Sequence, residues 1–202
     1  DSSTSRGLGD VYKRQLYQRE GAYIPRVAAV HDLCGYGKCS LGVAIPVLSA
    51  AGCDVCPVPT GLFSSHTAFP GWYMHDTTDI LGDYLAAWAG IGVELDAVYS
   101  GFLGAPEQVD IIKQVWETYP KALRVVDPVM ADHGKVYPTY TPELCSAMAE
   151  LACGADILTP NLTEAAIILG EPIGEDWGGT DISDEEAHRL VDALVAKGAK
   201  HV

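Results

Sequence analysis

The sequence predicts an α/β protein, a three-layer α/β/α sandwich with a mostly parallel central sheet, and three observations predict it. Short apolar, β-branched runs recur at residues 27–30 (VAAV), 54–63 (DVCPVPTGLF), 96–101 (DAVYSG), 123–128 (LRVVDP) and 155–160 (ADILTP). Stretches with helical apolar spacing stand between them, which is the alternation that buries a parallel sheet on both faces. Glycine, proline and capping residues punctuate the junctions.

The elements follow in order. Residues 1–23 are polar, lack an apolar period and contain no hydrophobic signal core, so a disordered or non-native leader is expected there and the fold from residue 24 to 202. Residues 40–51 read as a helix with Leu41, Ile45 and Leu48 on one face, stopped by Gly52 and kinked at Pro46. After the second strand a polar loop leads to a helix over residues 78–90, and Pro106 opens another that runs to Tyr119. Thr141-Pro142 starts a helix carrying Leu144, Met148 and Leu151; Asn161 precedes one over residues 162–169 that Gly170 ends. Ser183 and Glu186 form a capping-box pattern ahead of Leu190, Val191 and Leu194. After Gly198 the residues Lys200-His201-Val202 begin a further strand, so a fold interrupted in mid-unit is expected.

A formal charge of −14 disfavours sequence-independent binding to nucleic acid, yet leaves room for small phosphates held by Mg²⁺ or helix N-termini. The 6 cysteines are scattered, and the Cys53/Cys56 pair points to opposite sides of a strand, so reduced core thiols and a cytoplasmic setting are expected. No apolar run is long enough to suggest a membrane span.

In open α/β sheets ligands gather beyond the carboxyl ends of the strands. Four polar stretches stand there. HDLCGYGKCS (31–40) brushes the phosphate-loop pattern at Gly37-Lys38, but Asp32 stands where a glycine belongs and Cys39 replaces the metal-binding hydroxyl. It reads as a ligand loop or as a glycine-rich turn capped by Ser40. FSSHTAF (63–69) sets Ser65 beside His66, a pair that diverges on an extended backbone, so a ligand-contacting loop or a polar turn is preferred to a nucleophile and base. Asp127 ends a strand before Pro128 and suits a metal or a turn; His133, Gly134 and Lys135 follow as a mobile loop. Asn161 and Glu164 read as a helix cap or as a further site carboxylate. The tryptophans look too dispersed for a stacking platform.

Taken in order, HDLCGYGKCSL, FSSHTAF, SGFLG, DPVM and TPNLTEAAIL resemble the pyridoxal/pyridoxamine kinase branch of the ribokinase-like superfamily, from about Val27 to the C-terminus. The resemblance implies transfer of the ATP γ-phosphoryl group to the 5′-hydroxymethyl of a vitamin B6 vitamer. It assigns Asp32, Thr67 and Phe102 to the vitamer, and Asp127, Asn161 and Glu164 to ATP phosphates, with Asp127 and Glu164 organising Mg²⁺, directly or through water. It further implies a homodimer and allows a monovalent cation. The branch's catalytic Asp, in a C-terminal Gly-x-Gly-Asp, has no counterpart after the last strand, so these residues alone are expected to be inactive or nearly so. Two alternatives stand: a sister kinase for hydroxymethylpyrimidine, and a non-catalytic ligand-binding homologue.

Overall fold

The structure is a computed structural model that describes residues 23–172 and 182–202. The expected leader lies outside these residues except for Tyr23, whose hydroxyl donates to Asp96. A six-stranded sheet runs in the order β3-β2-β1-β4-β5-β8. Its strands are β1 (Arg26–Cys34), β2 (Asp54–Phe63), β3 (Met74–Asp76), β4 (Ala97–Ser100), β5 (Leu123–Val126) and β8 (Ile157–Leu158). All neighbours pair in parallel except β3, which lies antiparallel on β2.

The helices are α1 (Leu41–Ala50), α2 (Thr78–Gly90), α3 (Pro106–Thr118), α4 (Pro142–Cys153), α5 (Leu162–Leu169) and α6 (Asp184–Lys197). From β1 the chain crosses one way to β2, then returns past β1 to β4, β5 and β8. Right-handed crossovers in opposite directions place α1 on one face and α2, α3 and α4 on the other. The core lies between: Ala28, Val30, Val58, Val98, Val126 and Leu158 from the strands meet Leu81, Ile112, Val115, Leu144, Met148 and Leu151 from the helices. His201 bridges to Ile157 in parallel, so the sheet continues past β8 as expected.

Several expectations are corrected. The strand β3 replaces part of the polar loop before α2. The stretch after Asp127 is a hairpin, β6 (Ala131–Asp132) and β7 (Lys135–Val136), rather than a mobile loop. Its two turn residues, His133 (φ 48°) and Gly134 (φ 74°), both have positive φ, the requirement of the two-residue turn whose twist matches a hairpin. Ser183 accepts the Glu186 amide at 3.2 Å, but the Glu186 carboxylate goes to Arg189, so this capping box closes on one side only. Around Asn161 the box closes on both.

One backbone approach is unforgiving. A Cβ on Gly101, just past β4, would stand 2.1 Å from Nδ1 of the buried His31 ring. The ring cannot yield freely, since it packs edge-on against Tyr99 with centroids 4.4 Å apart. Gly101→Ala is therefore expected to lower stability by about 1–3 kcal/mol. Gly82→Ala, in the interior of α2 where nothing approaches, should raise it by up to about 1 kcal/mol. Urea midpoints of the two variants check both signs.

Candidate functional site

Adjacent strands whose following helices leave on opposite faces open a crevice at their carboxyl ends. Here that place is the end of β1, between the loops that follow β2 and β4. The loop after β1 lies directly on the loop after β2: Gly35 N–H donates to Phe63 O at 2.8 Å, Tyr36 N–H to Ser64 O at 3.1 Å, and His66 N–H to Tyr36 O at 2.8 Å. Side chains at two positions would block this. A Cβ on Gly35 would meet Ser64 O at 3.0 Å, and one on Gly37 (φ 88°) would meet His66 Cβ at 2.9 Å.

Asp32 is buried at the base of the crevice, 6% exposed. Burial pushes its carboxyl above the ordinary range, while hydrogen bonds from Ser40 and Cys34 pull it back. Ser40 is no ordinary helix cap. Its φ of 49° and ψ of −122° lie where glycine is favoured, and its side chain makes no bond to the helix. The hydroxyl turns to Asp32 instead, at a backbone strain of about 1–3 kcal/mol.

Asp32, Thr67 and Phe102 line one pocket of about 300 Å³ with Cys34, Cys39, Ser40, Phe63, His66, Trp72, Val129, Tyr137, Pro138 and Thr139. One wall is aromatic: the Phe63 ring lies 5.7 Å from Trp72 and 5.6 Å from Phe102, which in turn lies 5.8 Å from Tyr140. A buried polar network fixes Phe102. Thr60 Oγ1 donates to the Phe102 carbonyl at 2.7 Å, and Gln108 Oε1 accepts Gly104 N–H at 2.8 Å while its amide nitrogen donates to Thr60 O and Thr78 Oγ1. The Ser65-His66 pair is not wired as nucleophile and base, because His66 Nδ1 accepts the Ala68 amide at 3.0 Å.

A second cluster forms at the neighbouring ends of β5 and β8. Asp127 is half-buried; burial raises its pKa, and the Tyr99 hydroxyl donates to it. Glu164 is 2% exposed, and both of its oxygens accept backbone amides, Met130 at 3.3 Å and Asn161 at 2.9 Å. Asn161 caps α5 by accepting the Glu164 amide at 3.0 Å and donates its own amide to Ala131 O at 2.8 Å. Tyr137 joins the two clusters, since it lines the pocket and its hydroxyl feels the charges of Asp132, Glu164 and Asp127.

The six residues singled out in the sequence thus fall into two adjacent groups of three. Sequence reasoning missed Trp72, which closes the aromatic wall, and Val129 with residues 137–139. Their only sequence signal is position just after a strand-end motif. Two carboxylates that repel each other, with burial and Asp127 both acting on Glu164, are a donor set that suits a hard cation such as Mg²⁺. Asp127 would hold the ion; Glu164, with both oxygens engaged, would do so through water.

Burial lifts the Glu164 pKa to about 7, opposed by its backbone hydrogen bonds and reinforced by Asp127. The unfolded chain releases this proton near 4.5, so between about pH 4.5 and 7 the native state holds a proton that the unfolded state has lost. Stability contributed by Glu164 is complete below that window and falls as pH rises through it, by up to about 1.4 kcal/mol per pH unit. In Glu164→Gln that share of the slope should vanish; denaturant unfolding from pH 4 to 8 checks it.

Against known sequences, the profile of the phosphomethylpyrimidine kinase family matches residues 47–202. Pyridoxal kinase PdxY of Haemophilus influenzae is 35% identical over 184 residues, covering 87% of this chain and 61% of that protein. The chain thus spans about three-fifths of the length of the curated relatives it matches. Among solved structures, a Bacteroides thetaiotaomicron protein that bears the name phosphomethylpyrimidine kinase, crystallised with pyridoxal, superposes with a TM-score of 0.81 at 40% identity, covering 88% of this chain and 61% of that one. Pyridoxal kinase from Lactobacillus plantarum gives 0.77 at 31% identity, with 88% and 62% covered. By its fold, its strand-end motifs and the profile match over most of its length, the chain belongs to the phosphomethylpyrimidine kinase family of ribokinase-like proteins.

Proposed function

We propose that the chain carries the vitamer-binding part of a pyridoxal kinase, which transfers the ATP γ-phosphoryl group to the 5′-hydroxymethyl of a vitamin B6 vitamer. The observation that carries this reading is the pocket of about 300 Å³, with Asp32 and Thr67 as polar groups and Phe63, Trp72 and Phe102 as an aromatic wall. That volume is at the small end for ligand sites, about 300–1,000 Å³, and suits one six-membered ring. Asp32, kept dry, would accept a hydrogen bond from the ring's hydroxyl or protonated nitrogen; Thr67, on the open side, would contact the ring substituents.

The carboxylate cluster beside the pocket would serve the nucleotide. Phosphoryl transfer needs little covalent help but needs charge neutralised and reactants held in line. Mg²⁺ would supply that neutralisation when bound. Asp127 would hold it, Glu164 and Asn161 would fix the loop that presents Asp127, and a monovalent cation nearby belongs to the same proposal. The resemblance assigns the proton of the 5′-hydroxyl to the Asp of a Gly-x-Gly-Asp, a motif that does not occur among the described residues. Gly7-Leu8-Gly9-Asp10 spells Gly-x-Gly-Asp but precedes β1 and lies outside them. The proposal also includes cytoplasmic residence and a homodimer; Val43 and Val47, 43% and 59% exposed on α1, offer an apolar patch for a second copy.

Hydroxymethylpyrimidine is the second candidate substrate, favoured by the name of the matching family. Calorimetry on the 202-residue chain separates the two. Pyridoxal is expected to bind, with Asp32→Ala and Thr67→Ala each weakening it about tenfold or more, the loss of a hydrogen bond or two. Thr67→Ser should keep most of the affinity. Tighter binding of hydroxymethylpyrimidine, or variants equal to the parent, would sink the vitamer reading. ATP-dependent product from these residues alone should not exceed a no-enzyme control.

A further inference from the structure

The loop after β1 brings together three donors that the vitamer reading does not need as a set. Asp32 carboxylate, Cys34 Sγ and Cys39 Sγ all lie within 4.8 Å of one another. All three line the pocket, so the group is reachable from solvent. We propose that Asp32, Cys34 and Cys39 form a three-donor site for a thiophilic divalent cation such as Zn²⁺ or Cd²⁺, separate from the carboxylates that would organise Mg²⁺.

The geometry fits the ion. Zinc bonds of about 2.3 Å to sulfur and about 2.1 Å to oxygen, at a tetrahedral angle, set two such donors about 3.6 Å apart. Cys34 Sγ stands 3.6 Å from Asp32 Oδ2, so this edge of the tetrahedron exists before any metal arrives. A loop built on Gly35 and Gly37 holds Cys34 and Cys39 at its two ends, tied down by the hydrogen bonds that the Gly35 and Tyr36 amides donate to the next loop. Because the three donors line the pocket, water or a ligand atom within it would complete the shell.

A divalent cation would bind the two cysteines as thiolates and release their protons to solvent. The other close pair in sequence, Cys53 just before β2 and Cys56 within it, is joined by no third donor among the described residues.

The test is titration of the reduced 202-residue chain with Cd²⁺ alone, read by the cadmium–thiolate charge-transfer band in the ultraviolet. One equivalent should bind; Cys34→Ser and Cys39→Ser should each abolish the band, and Asp32→Asn should weaken binding at least tenfold. The Cys53→Ser/Cys56→Ser double variant should titrate like the parent. No variant is needed for the second readout: in the parent chain, bound Cd²⁺ should protect Cys34 and Cys39 from alkylation, as located by mass spectrometry. Absence of a band, a band that survives loss of both Cys34 and Cys39, or protection confined to Cys53 and Cys56 overturns the site. A cation here would also narrow the pocket, and this consequence alone rests on the vitamer reading. Pyridoxal should bind at least tenfold more weakly to the Cd²⁺-saturated chain, and unchanged affinity overturns the competition. Failure of pyridoxal to bind the metal-free chain counts against the vitamer reading and leaves the metal readouts intact.

Discussion

Direct backbone contact between the loop after β1 and the loop after β2 is the constraint on which the site depends. Two side-chain-free positions, Gly35 and Gly37, permit it, and three backbone hydrogen bonds across the seam hold it. Asp32 is buried beneath this seam, and Phe63, His66 and Thr67 reach the same pocket from its other side. The strain at Ser40 fits the same picture. A residue forced out of its preferred backbone region turns its hydroxyl to Asp32, and the surrounding packing has to hold it there.

The second cluster is built by different means. Glu164 ties the amides of Met130 and Asn161 together from inside the protein, so the end of β5 and the start of α5 move as one piece. Val129, one residue from Met130, belongs to the pocket wall. The cap of a helix, the carboxylate that would hold an ion and the wall of the pocket thus share a few consecutive bonds.

What could be read in the sequence follows from the range of the forces involved. Strand β2 and the helices α2 and α5 fall at their expected bounds, because apolar period and local punctuation such as Gly170 specify them. Strand β3 and the β6–β7 hairpin were not legible; two or three residues carry no period, and only their partners make them strands. Glu186 was misassigned because an arginine three residues on competes better for its carboxylate than a backbone amide does. Asp32, Thr67 and Phe102, which line one pocket, were legible through the motifs that carry the resemblance. Trp72 and Tyr137 were not, since they reach the pocket by folding back from β3 and from the hairpin.

One irregularity in the sheet bears on how this protein can vary. Between His31 and Leu33 of β1 the register jumps from Pro59 to Leu62 of β2, so two steps on one strand face three on the other. Up to that point Val58 and Thr60 are the buried residues of β2; beyond it they are Gly61 and Phe63. The extra residue reverses which parity faces inward, and it does so just before Phe63 enters the aromatic wall. Strand length here is therefore a coded quantity. Loss or gain of a single residue near Thr60-Gly61 would exchange Phe63 for Leu62 or Ser64 in the pocket, so the pocket tolerates substitutions along β2 far better than an insertion or deletion there.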